Sequence, residues 1–286
     1  MINMKNTFLI ILATALFMQC APEDQDPQSD QLRATETPVY TILSQNIVDV
    51  VRDAILLEEA DTSLSATDQT MYLSQASVIY FAADSMLDTL NTPVTRIQVD
   101  LDQSIGSDGR TRSGIIDVSY IGEWPDSNFL ARMNILSLDI DGYAFSGYRT
   151  LSGRGLNSDS LLTWSFSGDA FYLETPTGTT SFNPTYTCSQ VSGNDADWIH
   201  TDQSLKETFT YQWSGSAVGY LSSGQQVLMN IEEPYQIMGS CPYPFGGVIS
   251  ASEARTTKAT IRFNSESCNE IANWEIGNSA GTVTLK

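Results

Sequence analysis

The sequence predicts a mainly β protein, an extended antiparallel β-sheet or sandwich with one N-terminal amphipathic helix. Three observations lead there. Apolar residues recur at helical spacing between Val39 and Ala60, they alternate with polar residues at period two from Ala76 onward, and Gly, Asn and Asp punctuate the alternating runs. Alternation at period two gives strands with one buried face, and short turns between them make antiparallel neighbours. No recurring helix separates these runs, so parallel crossovers are not expected.

The chain opens with Lys5 and a run from Phe8 to Met18 that is apolar apart from Thr14. As a helix that run spans about 16 Å, roughly half a bilayer's hydrocarbon core. It is too short to cross, and fits the basic, apolar and cut-site pattern of a secretory signal. Cys20 directly behind it resembles the lipobox of bacterial lipoproteins, in which the cysteine is lipidated and becomes the new N-terminus. Phe17 and Gln19 stand where such signals commonly carry Leu and a small residue. Residues 1–19 are therefore expected as a signal peptide of lipoprotein type, with Cys20 as the lipidation site.

Residues 20–38 read as a flexible acidic tether. Glu23, Asp24, Asp26 and Asp30 stand there with little apolar surface to offset the entropy of ordering. An acidic tether behind a lipidated cysteine resembles the signal that sends lipoproteins of Bacteroidota-type bacteria to the cell surface; a plain solvated spacer suits the same composition. Acyl chains contribute about 0.8 kcal/mol per buried methylene and would hold the chain on a membrane without a spanning helix.

Residues 39–72 are expected as a helical segment packing on the sheet. Ile47, Val48, Val51, Ala54 and Ile55 share one stripe, with Arg52, Asp53 and Glu59 off it. Residues 73–286 are expected as the antiparallel β domain. Ile97, Val99 and Leu101 alternate with polar neighbours, as do Ile116, Val118 and Tyr120, then Ala259, Ile261 and Phe263, and finally Val283 and Leu285. Turns fall at Ser107-Asp-Gly109, Asp141-Gly-Tyr143 and Ser222-Ser-Gly224. An aromatic-Ser-Gly triplet recurs at Phe145, Phe166 and Trp213, without a constant period. It predicts an inward aromatic followed by a bulge or turn glycine.

The run Pro93 to Leu101, followed by Ser107-Asp-Gly-Arg-Thr-Arg-Ser-Gly114 and the strand to Gly122, resembles a family of Bacteroidota-type lipoproteins. In that family a strand ends in aspartate and a Gly-Arg-Thr-Arg-x-Gly turn opens the next. Asp100-Leu-Asp102 stands here where the family carries Asp-Phe-Gly. The likeness runs from Pro93 to the C-terminus and is most specific at Gly109 to Gly114. It implies an extended antiparallel sheet and a surface anchor, and it carries no catalytic residue.

The chain holds 14 Lys and Arg against 34 Asp and Glu, a net charge of −20. Nucleic acid is disfavoured as a partner, because its affinity rests on cations that neutralise phosphates. With Cys20 lipidated, Cys188, Cys241 and Cys268 remain. Cys241 with Cys268 is favoured, because two strands, Gly246 to Ser252 and Thr257 to Phe263, return the chain between them; Cys188 with Cys241 stays open. The single histidine, His200, lies in an acidic loop with Asp195, Asp197 and Asp202 and excludes multi-histidine metal sites. Asp100 with Asp102 and Asp139 with Asp141 each share a strand face, the latter pair before Gly142, and are the candidate ligands for a hard cation. Among five tryptophans, Trp124 and Trp198 are the candidates for a ligand-stacking surface outside the core.

No motif calls for a cofactor or for catalysis. The expectation is a lipid-anchored protein of the outer membrane or cell surface with a non-enzymatic binding or structural role and a glycan or envelope protein as partner. A carbohydrate-binding lipoprotein serving polysaccharide uptake is one alternative, and a carboxylate-based hydrolase another.

Overall fold

A computed structural model describes residues 27–59, 72–73, 77–81, 94–192 and 210–285, apart from positions 107, 125, 176–177, 239–240, 242, 254–257 and 265–267. Among the described residues one helix, α1 (Pro27–Glu59), precedes fourteen strands. These are β1 (Ser77–Phe81), β2 (Thr95–Asp100), β3 (Ser104–Ile105), β4 (Thr111–Ile121), β5 (Leu130–Ile140), β6 (Tyr143–Leu156) and β7 (Leu162–Thr175). They continue with β8 (Gly178–Ser192), β9 (Thr210–Tyr220), β10 (Gln226–Met238), β11 (Val248–Ser252), β12 (Ala259–Phe263), β13 (Ile271–Ile276) and β14 (Ser279–Thr284). All lie in one antiparallel sheet whose spatial order follows the sequence, except that β3 pairs with β4 beside the main path. The mainly β chain, with its antiparallel sheet and N-terminal helix, agrees with the sequence prediction.

The period-two residues do what their spacing predicts. Ile97, Val99, Ile116, Val118, Tyr120, Ala259, Ile261, Phe263, Val283 and Leu285 are all buried. The turns carry the expected left-handed backbone: φ is +79° at Gly109, +54° at Asp141, +88° at Gly142 and +82° at Gly224. Each aromatic-Ser-Gly triplet turns its aromatic inward and sits at a register shift. Phe145, Phe166 and Trp213 are buried, and the ladders slip beside Ser146, Ser167 and the β10 residues facing Gly215.

The sheet curls around α1. Tyr40 of the helix packs on Phe171 of β7 and Phe182 of β8, Thr41 reaches Met229 of β10, and Arg52 lies over Trp164 of β7 and Tyr211 of β9. Asn46 meets Arg112 of β4, while further helix residues contact β2, β11, β12 and β13. The helix is therefore buried on every side, with Arg33, Thr37, Asp49, Arg52 and Asp53 as inaccessible as Val48 and Val51. A single apolar stripe covering one sheet face is not what forms; the polar face is buried too, because strands surround it and supply partners.

The helix also begins earlier than expected. Residues 27–38, placed by composition in the tether, form its first turns, and the helix runs through Pro38. An interior proline forfeits one backbone hydrogen bond, yet tertiary contacts hold the segment. Arg33 faces Glu253 and Asp30, and Glu36 accepts from Thr180 Oγ1 at 2.7 Å and from the Ser222 amide at 3.0 Å. Residues 60–71 of the expected helical segment lie outside the described residues, as do residues 1–26.

Candidate functional site

The outer face of the sheet is dented where β4 and β5 slip in register. Leu136 is the extra residue between β4 and β5, Ser137 joins it in the slip against β6, and Gly114 of β4 lies opposite Leu138 with φ +118°. A Cβ at position 114 would stand 2.0 Å from the Ser137 carbonyl oxygen, so only glycine lets the two backbones approach. Gly147 on β6, φ +124°, continues the irregularity beside Ser146. The result is an open groove of about 460 Å³ whose lining includes Ser113, Leu136, Ser137, Asp139, Ser146 and Glu174.

Register fixes the groove's arrangement. Ser113, Asp139, Ala144 and Glu174 form one row across β4, β5, β6 and β7. Asp139 and Glu174 are two strands apart, about 9.5 Å between backbones. Neither is buried. Exposed tyrosines stand on the same face: Tyr172 on β7 (43% exposed), two residues from Glu174, then Tyr148 further along β6 (63%) and Tyr220 on β9 (51%), with Leu136 itself 54% exposed. Tyr172 lies opposite Ser146, and Ser181 of β8 separates it from Tyr220.

The residues singled out from sequence fall in several places. Asp139 reaches the groove and also accepts from the Gly142 amide at 2.9 Å. Asp141 does not join it as a cation ligand. Its carboxylate accepts from Arg110 Nη1 at 2.7 Å and from the Thr111 amide at 2.9 Å, so both oxygens serve the turn. Among the described residues no group of three or more His, Cys, Asp and Glu is placed to hold a metal ion. Trp124 is in the core, edge-on to Phe129 and Trp164 at 5.1 and 5.4 Å between ring centres. The helix end draws it in, because the Glu59 carboxylate accepts from the Trp124 amide at 2.9 Å. Trp198, His200 and Cys20 lie outside the described residues. Cys241 and Cys268 form a disulfide, with Cα atoms 5.6 Å apart, and Cys188 is buried apart from it.

The tyrosines were missed as a surface, although strand parity announces them. Phe171 and Leu173 point inward, so Tyr172 between them points out; Arg149 points inward, so Tyr148 points out.

The Gly109-Arg-Thr-Arg-Ser-Gly114 motif acts on the architecture. Arg110 grips Asp141 and donates through Nη2 to the Leu285 carbonyl at 3.1 Å, tying the chain's last strand to the start of β4. Arg112 donates through Nε to Asn46 Oδ1 at 2.8 Å and pairs with the buried Asp108. Gly114 then makes the groove.

Inside the sheet stand two further charged clusters. Arg52 meets Asp49 at 3.1 Å, and burial outweighs that attraction to push the Asp49 carboxyl up to about 6. Arg149 of β6 lies over the rings of Phe171 and Phe166, 3.4 and 4.9 Å from their centres, and donates through Nη2 to the Tyr40 hydroxyl at 2.6 Å. The Tyr40 hydroxyl donates a hydrogen bond to the Phe182 carbonyl at 3.3 Å. Burial lowers Arg149 and raises Tyr40 from their usual ranges. These groups join helix to sheet and do not line the groove.

The chain matches no family model, no curated protein and no solved structure.

Proposed function

We propose that the protein is a lipid-anchored component of the bacterial outer membrane or cell surface, held through Cys20, with a non-enzymatic binding role. Its outer sheet face is the binding surface. The observation that carries this reading is the groove over β4–β7, with exposed Tyr172 in the row next to it and exposed Tyr148 and Tyr220 farther out on the same face. Aromatic side chains combine a large contact area with a polar tip, which suits a wet binding surface. The groove's carboxylates stand open to solvent, an arrangement for accepting hydrogen bonds. Acid–base catalysis by a carboxyl pair works through an environment that keeps one of them protonated.

Two measurements test this reading. Mass spectrometry of the protein from its native host should find Cys20 as an acylated N-terminus; residues 1–19 still attached, or a bare thiol, would remove the anchor. A diazirine side chain at position 136 should cross-link to envelope material in intact cells, whereas one at position 156, equally exposed at the far end of β6, should not. Equal capture at both positions, or none at 136, counts against the groove.

A further inference from the structure

The chemistry of this face narrows its ligand, granted that the groove is the binding surface. We infer that it takes a neutral, extended polysaccharide chain. Three features converge. First, Tyr172 and Tyr220 stand in one row with only Ser181 between them, so their backbones are about 9.5 Å apart. That separation is close to one disaccharide repeat of an extended glycan, so successive repeats meet successive rings. Second, the groove beside them offers hydroxyls from Ser113, Ser137 and Ser146 and carboxylates from Asp139 and Glu174. These accept hydrogen bonds from sugar hydroxyls, and the serines also donate. Third, among the described residues no Lys or Arg lines the groove, and the chain's net charge is −20. Uronate-bearing or sulfated chains are therefore repelled.

A flat apolar ligand is a poorer match. It would leave two carboxylates and three hydroxyls desolvated without partners. A sugar chain satisfies both halves of the site, since its C–H faces stack on the rings while its hydroxyl edges reach the row.

The test is affinity electrophoresis of residues 20–286 carrying Cys20→Ser, in gels holding galactomannan, mixed-linkage β-glucan, xylan or polygalacturonate. Retardation is expected in at least one neutral gel and not in polygalacturonate. Tyr172→Ala with Tyr220→Ala should weaken the retained interaction at least tenfold with Tm unchanged, and Leu156→Ala should leave it intact. Should the double variant lose its fold, Ser181→Arg crowds the space between the rings while keeping both, and the same loss is expected. Retardation by polygalacturonate alone, or undiminished binding by these variants, overturns the inference. If no gel retards the protein while the probe at position 136 still captures envelope material, the glycan is wrong and the binding face stands.

Discussion

At the scale of single residues, glycines decide where large side chains go. Gly168 of β7 pairs with Arg149 of β6, and a Cβ there would fall 1.6 Å from Arg149 Nη1. The absent methyl is the space that the guanidinium occupies on its way to Tyr40. Gly168→Ala should therefore lower stability by about 1–3 kcal/mol through overpacking. Adding Arg149→Met should recover most of that loss, a coupling that a double-mutant cycle in urea can measure. Glu59 offers a pH test. Partial burial, and after it the nearby Glu58, Glu123 and Asp126, raise its carboxyl from 4.5 to about 7, against the favourable amide of Trp124. It binds a proton more tightly folded than unfolded, so its contribution favours the native state below pH 4.5 and is lost as pH rises through 7. Glu59→Gln should flatten the fall of Tm across that window, and an unchanged slope would assign it to other groups.

At the scale of elements, α1 depends on cations delivered by the sheet. Arg112→Ala would strand the Asp108 carboxylate, whose partners include that guanidinium, in a buried site, and should cost about 3–5 kcal/mol by chemical denaturation. Removing the Cys241–Cys268 bridge should be milder, about 2–4 kcal/mol. These elements also mark what the sequence disclosed. Strands whose side chains alternate in and out were legible from Ile97-Gln-Val99 or Ala259-Thr-Ile261, because burial on one face writes itself into neighbouring residues. The cysteine pairing was legible for the same reason, since the two strands between them return the chain locally. The start of α1 was not. Arg33 and Glu36 read as solvated because their partners, Glu253, Thr180 and Ser222, lie far away in sequence. Trp124 was misplaced likewise, since its contact with Glu59 bridges a long interval. Of the groove, Asp139 was named, but its shape comes from a register slip between β4 and β5 that no local pattern reports.

At the scale of the whole molecule, the sheet's interior is organised by its helix. Tyr40, Leu43, Ile47, Val51, Ala54 and Ile55 fill the space that Phe171, Phe182, Trp164 and Tyr211 enclose. A chain beginning at residue 60 should retain strand content but bind a hydrophobic dye and lose its cooperative unfolding transition; a sharp transition near the wild-type temperature would show that the sheet closes unaided. The central position of α1 sets an order of events during biogenesis. Polypeptides leave the ribosome amino end first, so the innermost piece arrives before any of the wall that will house it. Until β14 has emerged and the Leu285 carbonyl is clasped by Arg110, that piece must wait with its oily and charged flanks uncovered. Maturation is thus timed by strands made long after α1, and a holding factor would have its longest task at this helix.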